Sequence, residues 1–285
     1  MVIDPAELAI FTIAGGAVTA KFVNEAWDLG KNWLNDYFLK HQPEAQEKAQ
    51  ENALAFLFEM GTRIQELEKQ TEDNSFFKKR MEQSLSDPDF SALLQDALIS
   101  SARTSSEEKH NLLAHVVSDR LLAEQESLKA LATRRVVDVI PHISSKQLKF
   151  LGLMAVIMWR IIPTNPPNEM KNSDWADFII KSTSPLIPTE EIVSIDYMHL
   201  VSVSCIYRSV GSRKIDKFIK PPEELCSDWK ADILLKETDV GRKINQIWED
   251  GMKRSYLTSI GGLVGIYVHD ELTGTKTDLK NIYGI

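Results

Sequence analysis

The chain has 285 residues, of which 43% are hydrophobic and 26% are charged, proportions typical of a globular protein with one large domain or two modest ones. Its net charge of −8 argues against broad binding to nucleic acid, because such binding needs a basic surface. The net charge is still compatible with a local basic patch. The two cysteines, Cys205 and Cys226, are too few for a disulfide scaffold, which favours a reducing compartment. The N-terminus lacks the basic region of a signal peptide. Together these two features predict a cytoplasmic protein.

The first predicted element is a long amphipathic helix. Asp4-Pro5-Ala6-Glu7 combines an N-cap acceptor, a proline at the first helical position and a capping-box glutamate. An apolar stripe then continues from Leu8 to Tyr37, and its start is rich in alanine and glycine, which let two helices approach closely. We therefore predict self-association through this helix, with packing inside the protomer and a membrane-surface helix as alternatives. The residues assigned to the self-association surface are Phe11, Gly15, Val18, Phe22 and Trp33.

A second long helix is predicted after the break at His41-Gln42-Pro43. Its apolar stripe runs from Ala49 to Leu67, while its other positions carry an excess of acidic residues typical of a solvated face. Two long helices joined by a short turn predict an antiparallel hairpin. Residues 1–75 are accordingly interpreted as an N-terminal helical hairpin.

Residues 76–162 are predicted to form a central helical bundle. Asp87-Pro88 marks one helix start, and Ser144 with Gln147 has the spacing of a capping box at another. The segment from Phe150 to Trp159 is apolar on all sides, which is typical of a helix surrounded by protein. Because a membrane span needs about 20 such residues, a soluble bundle is the better interpretation.

This central region resembles a known family. The helix start at Ser144 and Gln147 follows the sequence Val139-Ile140-Pro141-His142-Ile143 and the leucine-rich stretch from Leu112 to Leu122. Together they resemble the Abi-alpha family and its uncharacterised bacterial relatives over roughly residues 85–162. The resemblance implies a bacterial protein of abortive infection, meaning defence against phage, and it carries no catalytic motif with it.

Residues 163–285 are predicted to be mainly helical. Pro163 to Ser173, rich in proline and asparagine, is the expected boundary. One helix is predicted from Thr189 to Arg208, before a basic loop over 211–222, and further helices follow over 223–237, 240–253 and 258–269. Residues 277–285 are interpreted as a short terminal strand. The fold prediction is thus a mainly α, multi-helical bundle.

No residue pattern demands a reaction or a cofactor. His110 and His115 are five residues apart and do not converge on one helix face as a metal pair would. Asp196 and His199 share a predicted helix face near Cys205, but the sequence places no nucleophile beside them. Gly261 to Gly265 lacks the lysine of a phosphate loop and instead favours close helix packing. We therefore assign no catalytic, cofactor or metal residue.

The preferred functional prediction is a non-enzymatic interaction or assembly protein. Its expected contacts are with copies of itself through the N-terminal helix, and with a protein partner. The first alternative is a membrane-perturbing effector that acts through the same helix. The second is a hydrolase or nuclease with an unrecognised site, for which a cluster of Asp196 and His199 with other polar residues in a cleft would be the supporting observation.

Overall fold

The protein is mainly α-helical, as predicted. The computed structural model describes residues 17–70, 74–121, 123, 127–159, 170–221 and 229–277. Within these residues it contains thirteen α-helices and one small two-stranded sheet. The chain divides into two compact units, residues 1–142 and residues 143–285. The last helix of the predicted central bundle therefore belongs to the second unit, and the division into three domains stays a prediction.

The first unit is built from six described helices and a short 3-10 turn. Two long helices open it, and four shorter helices follow them. Their bounds are α1 (Ala17–Phe38), α2 (Pro43–Gln70), α3 (Asn74–Ser84), α4 (Pro88–Ala102), α5 (Glu107–Leu121), α6 (Leu128–Val139) and the 3-10 turn Ile140–His142.

The predicted N-terminal hairpin is present in α1 and α2. The Thr19 hydroxyl near the start of α1 donates to the Glu68 carboxylate near the end of α2 at 2.8 Å. Near the turn, the Gln50 amide lies 3.5 Å from Asn35 Oδ1, so the two helices run antiparallel. Both helices pack against α4, and α2 also packs against α5. The fully buried side chains of this core include Phe56, Met60, Leu94, Leu98, Leu113 and Val117.

The buried face of α1 contains only part of the predicted stripe. The stripe position Phe22 is buried together with Val23 and Trp27, whereas the stripe positions Leu29 and Tyr37 are 37% and 46% exposed. The helix carries apolar residues on more than one face, so helical spacing alone allowed two choices of buried face. Packing against α2 and α4 buries a face that overlaps the stripe at Phe22 and leaves Leu29 and Tyr37 at the surface.

The second unit begins with the apolar helix and continues through shorter elements. Its helices are α7 (Ser145–Trp159), α8 (Asn172–Thr183), α9 (Ser194–Ser202), α10 (Asp216–Ile219), α11 (Ala231–Leu235), α12 (Asp239–Asp250) and α13 (Ser259–Thr273). Short 3-10 turns cover Ser184–Leu186 and Met252–Arg254, and two strands are β1 (Ile206–Arg208) and β2 (Ser255–Leu257). The predicted terminal strand over 277–285 lies outside the described residues except for Thr277.

Helices α7 and α13 form the centre of the second unit. The capping box at the start of α7 is confirmed, because Ser144 Oγ accepts from the Gln147 backbone amide while Gln147 Oε1 accepts from the Ser144 amide. Leu151 and Val264, one on each helix, are completely buried. A Cβ added to Gly265 would stand 2.4 Å from the Leu151 carbonyl oxygen, so the glycine-rich segment serves close packing, as predicted. No described helix is long and apolar enough to cross a membrane.

The small sheet was not predicted. The helix expected to reach Arg208 ends at Ser202, and Ser204, with φ 59°, turns the chain into β1. Strand β1 pairs antiparallel with β2, with Tyr207 opposite Tyr256 and Arg208 opposite Ser255. Each strand has three residues, which is too short for alternation of apolar and polar side chains to be recognised in a sequence.

Candidate functional site

The outer face of α1 carries a row of large apolar side chains. Leu29, Trp33 and Tyr37 recur every four residues, so they lie one above another on one side of the helix. Leu29 and Tyr37 are exposed and Trp33 is partly exposed, while Trp27 and Leu34 on the adjoining face are buried in the first unit. We call Leu29, Trp33 and Tyr37 the α1 stripe. It is a partly exposed apolar surface.

Charged residues of alternating sign are exposed along α1 and just beyond its end. In chain order they are Asp28, Lys31, Asp36 and Lys40. Lys31 Nζ lies 3.8 Å from Asp28 Oδ1, a weak contact between exposed groups. At about 100° of helix rotation per residue, Asp36 lies beside the α1 stripe, whereas Asp28 and Lys31 lie on the other side of the helix.

The residues assigned to self-association have different positions in the structure. Phe11 and Gly15 lie outside the described residues. Phe22 is 3% exposed, and its ring centroid lies 6.3 Å from that of Phe90 on α4, so Phe22 belongs to the core of the first unit. Its placement on an outer surface is corrected accordingly. Val18 and Trp33 are partly exposed, and only these two of the five assigned side chains contribute described surface.

A polar cluster joins the start of α7 to α9. Lys146 Nζ lies 2.8 Å from Asp196 Oδ2, and the Val193 backbone amide donates to the same oxygen at 2.9 Å. Gln147 Nε2 donates to Asp196 Oδ1 at 2.9 Å. His199 Nδ1 lies 3.0 Å from Gln147 Oε1. We call Lys146, Gln147, Asp196 and His199 the α7–α9 cluster. The sequence indicated Gln147 as a capping residue and Asp196 with His199 as a pair on one helix face, but it did not indicate Lys146.

The α7–α9 cluster defines the tautomer of His199. Gln147 Nε2 donates to a carboxylate, so Gln147 Oε1 is the amide atom that faces the imidazole. That oxygen can only accept, and therefore His199 Nδ1 carries the proton. The other ring nitrogen, Nε2, is then an acceptor when the imidazole is neutral. The cluster holds the histidine in one orientation through an amide rather than directly through the aspartate.

The cluster does not assemble a hydrolytic site from the described residues. Cys205 is completely buried, and burial raises the pKa of its thiol to about 12, so the thiol stays protonated at neutral pH. A depression of about 510 Å³ lies between the 184–192 segment and α12, but neither Asp196 nor His199 lines it. What the cluster does is anchor α9 to the capped end of α7. Its chemistry therefore supports a structural role.

Replacing Asp196 with asparagine is expected to make the free energy of unfolding less dependent on pH at acidic pH. Burial raises the pKa of Asp196, but hydrogen bonds from Lys146, Val193 and Gln147 outweigh burial and leave that pKa lowered. A lowered folded-state pKa stabilises the protein above the unfolded-state value of about 3.9, and the stabilisation disappears as pH falls through the folded-state value. Urea denaturation between pH 6 and pH 3 measures this. If the free energy of unfolding had the same slope against pH in Asp196→Asn and the wild type, the lowered pKa of Asp196 would be contradicted.

His110 has a structural contact that the sequence did not predict. Its Nε2 lies 2.9 Å from the Thr104 carbonyl oxygen and 3.1 Å from the Ser101 carbonyl oxygen, so this nitrogen donates to the end of α4. The imidazole thereby adds a donor at the helix end, where the Ser101 carbonyl also accepts from the Thr104 amide at 3.1 Å. Among the described residues there is no group of three or more His, Cys, Asp or Glu side chains that could hold a metal ion.

Comparison with known proteins places the chain in a family without indicating an activity. No curated protein and no solved structure matches the chain. One family model matches residues 20–224, more than two thirds of the chain, and its description ends in “-like” and states no activity. That description does not name the Abi-alpha family, so the resemblance to Abi-alpha proteins stays a prediction. The chain belongs to the protein family whose model spans residues 20–224.

Proposed function

We propose that the protein is a non-enzymatic assembly component that pairs with a second copy of itself through the α1 stripe. The observation that carries the proposal is the exposure of Leu29 and Tyr37 and the partial exposure of Trp33 on a helix whose adjoining face is packed. Contiguous apolar surface of this kind marks interaction sites in proteins that are otherwise well packed. The assembly surface is thus narrower than the predicted one, because it excludes Phe22.

The symmetric spacing of the stripe residues favours a second copy as the occupant. A twofold-symmetric interface brings the same patch of two subunits together, so each contact occurs twice. With α1 against an antiparallel α1, Trp33 lies near its own counterpart and Leu29 lies near Tyr37. The centre of the stripe then meets itself and its two ends meet each other, as pairing of identical chains requires.

The rest of the hairpin supplies additional apolar area. The Thr19–Glu68 and Asn35–Gln50 contacts place Phe58 of α2 level with Leu29 of α1. Phe58 is 47% exposed, and Leu39, just beyond the end of α1, is 71% exposed. Stable interfaces bury about 800 Å² on each partner, which is more than three side chains provide. The hairpin as a whole is therefore the surface that we propose to be buried on assembly.

A double substitution on the stripe is expected to separate the copies. Leu29→Glu with Tyr37→Glu puts like charges into an apolar contact, and both positions are exposed, so the fold should survive. Light scattering at tens of micromolar should give an oligomer for the wild type and a monomer for the variant, with unchanged circular dichroism. Leu131→Glu is the matched control, because Leu131 is 59% exposed on α6 of the same unit.

Deleting the whole helix is less informative, because Val23, Trp27 and Leu34 belong to the core of the first unit. A wild-type monomer would contradict the proposal, and tight liposome binding by that monomer would favour the membrane-effector alternative.

We place this assembly in bacterial defence against phage, on the support of the Abi-alpha resemblance over roughly residues 85–162 alone. Under this proposal the paired form is the active form. A bacterial host that expresses the wild type should then resist phage better than a host that expresses the Leu29→Glu/Tyr37→Glu variant. Equal plaque counts for the two hosts would show that defence does not depend on assembly.

A further inference from the structure

The small sheet of the second unit carries a column of stacked planar groups. The rings of Tyr207 and Tyr256, opposite each other on β1 and β2, are nearly parallel, with centroids 5.0 Å apart and an interplanar angle of 9°. The guanidinium carbon of Arg213 lies 3.8 Å from the Tyr256 ring centroid. Because Tyr207 covers one face of Tyr256, Arg213 takes the other. The order of the column is Tyr207, Tyr256, Arg213.

The inner end of this column is held in place. The Arg213 backbone amide donates to the Lys253 carbonyl oxygen at 3.1 Å, and Trp248 Nε1 donates to the Arg213 carbonyl oxygen at 3.1 Å. The guanidinium also donates to the Ser255 carbonyl oxygen. Phe218 and Trp248 surround it, with ring centroids 4.8 Å and 5.6 Å away. Tyr256 therefore rests on a fixed base, and the column needs little ordering before it binds a ligand.

The outer end of the column is open. Tyr207 is 52% exposed, and Tyr256 is its ring contact within the described part of the chain. A half-exposed tyrosine whose inner face is already stacked presents its outer face to solvent. A flat aromatic ligand placed there would become the fourth layer of the column. Such a site selects planar rings, and it does not distinguish strongly among them.

Two exposed positive charges lie in the segments that supply Arg213 and Tyr256 to the column. Lys214 and Arg254 are exposed, and no carboxylate of the described residues forms a salt bridge with either. The Ser209 amide donates to the Arg254 carbonyl oxygen at 2.8 Å, which holds the 209–213 loop beside this arginine. Arg208 follows Tyr207 in β1 and therefore points to the opposite face of the sheet, 5.1 Å over the Tyr197 ring. Lys253 differs from Lys214 and Arg254, because Glu249 neutralises it at 2.6 Å.

We propose that this surface binds a short segment of single-stranded nucleic acid, with one base stacked on Tyr207 and the adjoining phosphates facing Lys214 and Arg254. An acidic peptide would use the cations but not the ring face, and a duplex keeps its bases stacked on one another. A single strand supplies both a free ring face and phosphates. The chain's net charge of −8 limits the contact to this one place, consistent with weak binding elsewhere on the protein.

Fluorescence anisotropy with labelled dT12 and rU12 at low salt tests the proposal on the full chain. Saturable binding is expected, and Tyr207→Leu, which keeps an exposed apolar side chain but removes the ring, should weaken it about tenfold. Tyr207→Phe retains the ring and should bind within about twofold of the wild type. Lys214→Gln and Arg254→Gln should each reduce the dependence of log Kd on log salt by about 0.7. Circular dichroism of each variant checks the fold.

Several outcomes would overturn this inference. One is the absence of saturable binding of either oligonucleotide up to about 100 µM at low salt. Another is equal affinity of Tyr207→Leu and the wild type, which would show that the ring does not contact a base. A polyglutamate peptide that displaces the oligonucleotide at equal charge concentration would identify a partner chosen by charge alone. Tighter binding of a duplex would exclude stacking on an unpaired base.

Discussion

Replacing Leu151 with alanine is expected to lower the free energy of unfolding of the second unit by about 2–5 kcal/mol. Leu151 lies on α7 at the contact with α13 and is completely buried, so truncation removes buried apolar surface and leaves a cavity between the two helices. Ile157, near the end of the same helix, is 2% exposed and should respond similarly. Chemical denaturation of the purified variants, followed by circular dichroism, gives the values.

Ser144→Ala is the control for the two core substitutions, because it removes a helix cap from the same helix without removing buried apolar surface. A capping serine contributes about 1 kcal/mol, and here the hydrogen bond from the Gln147 amide to Ser144 Oγ is long, at 3.4 Å. We therefore expect Ser144→Ala to cost less than either core substitution. If it proved the most destabilising of the three variants, the centre of the second unit would not lie on α7.

Replacing Gly265 with alanine is expected to destabilise the same helix pair, although alanine is the better helix former. In a helix interior this substitution alone would stabilise the helix by about 1 kcal/mol. The new Cβ, however, would stand 2.4 Å from the Leu151 carbonyl oxygen and 2.8 Å from Ala155 Cβ. Neither a backbone oxygen nor a Cβ can rotate away, so α7 and α13 must move apart. Overpacking of this kind typically costs about 1–3 kcal/mol.

Gly211→Ala is the matched control for Gly265→Ala. Gly211 lies in the exposed loop after β1, and an added Cβ there would meet only Ser209 Oγ, at 3.8 Å. Its effect on the free energy of unfolding should stay within about 0.5 kcal/mol, as for other surface substitutions. A rise in stability for Gly265→Ala in the same urea titration would mean that the two helices are not in close contact.

Local signals predicted the helix boundaries well where a side chain caps a backbone. Asp87 accepts from the Asp89 amide at 3.0 Å at the start of α4, and Ser144 and Gln147 cap α7 reciprocally. These contacts span three residues or fewer, so a short stretch of sequence contains all of their chemistry. The burial of α7 on every side was predictable for a related reason, because an all-apolar helix has no side that water can solvate.

The candidate surfaces depended on contacts between residues far apart in sequence. The Tyr207–Tyr256 stack and the Lys146–Asp196 pair each join residues about fifty positions apart, and no local pattern encodes which distant residues meet. The sequence identified a basic loop over 211–222 but not the tyrosine column beside it. It also predicted an interaction surface on α1 without showing which of the helix's residues the fold would leave outside.

The sequence by itself determined the class of the fold, most helix starts, the apolar character of α7 and the close packing of the glycines in α13. These properties arise from backbone hydrogen bonds and from side chains within one or two helical turns. Only the tertiary structure decided which side of α1 is buried, because its apolar residues allowed two choices. Packing against α2 and α4 buried Val23, Trp27 and Leu34 and left Leu29, Trp33 and Tyr37 at the surface.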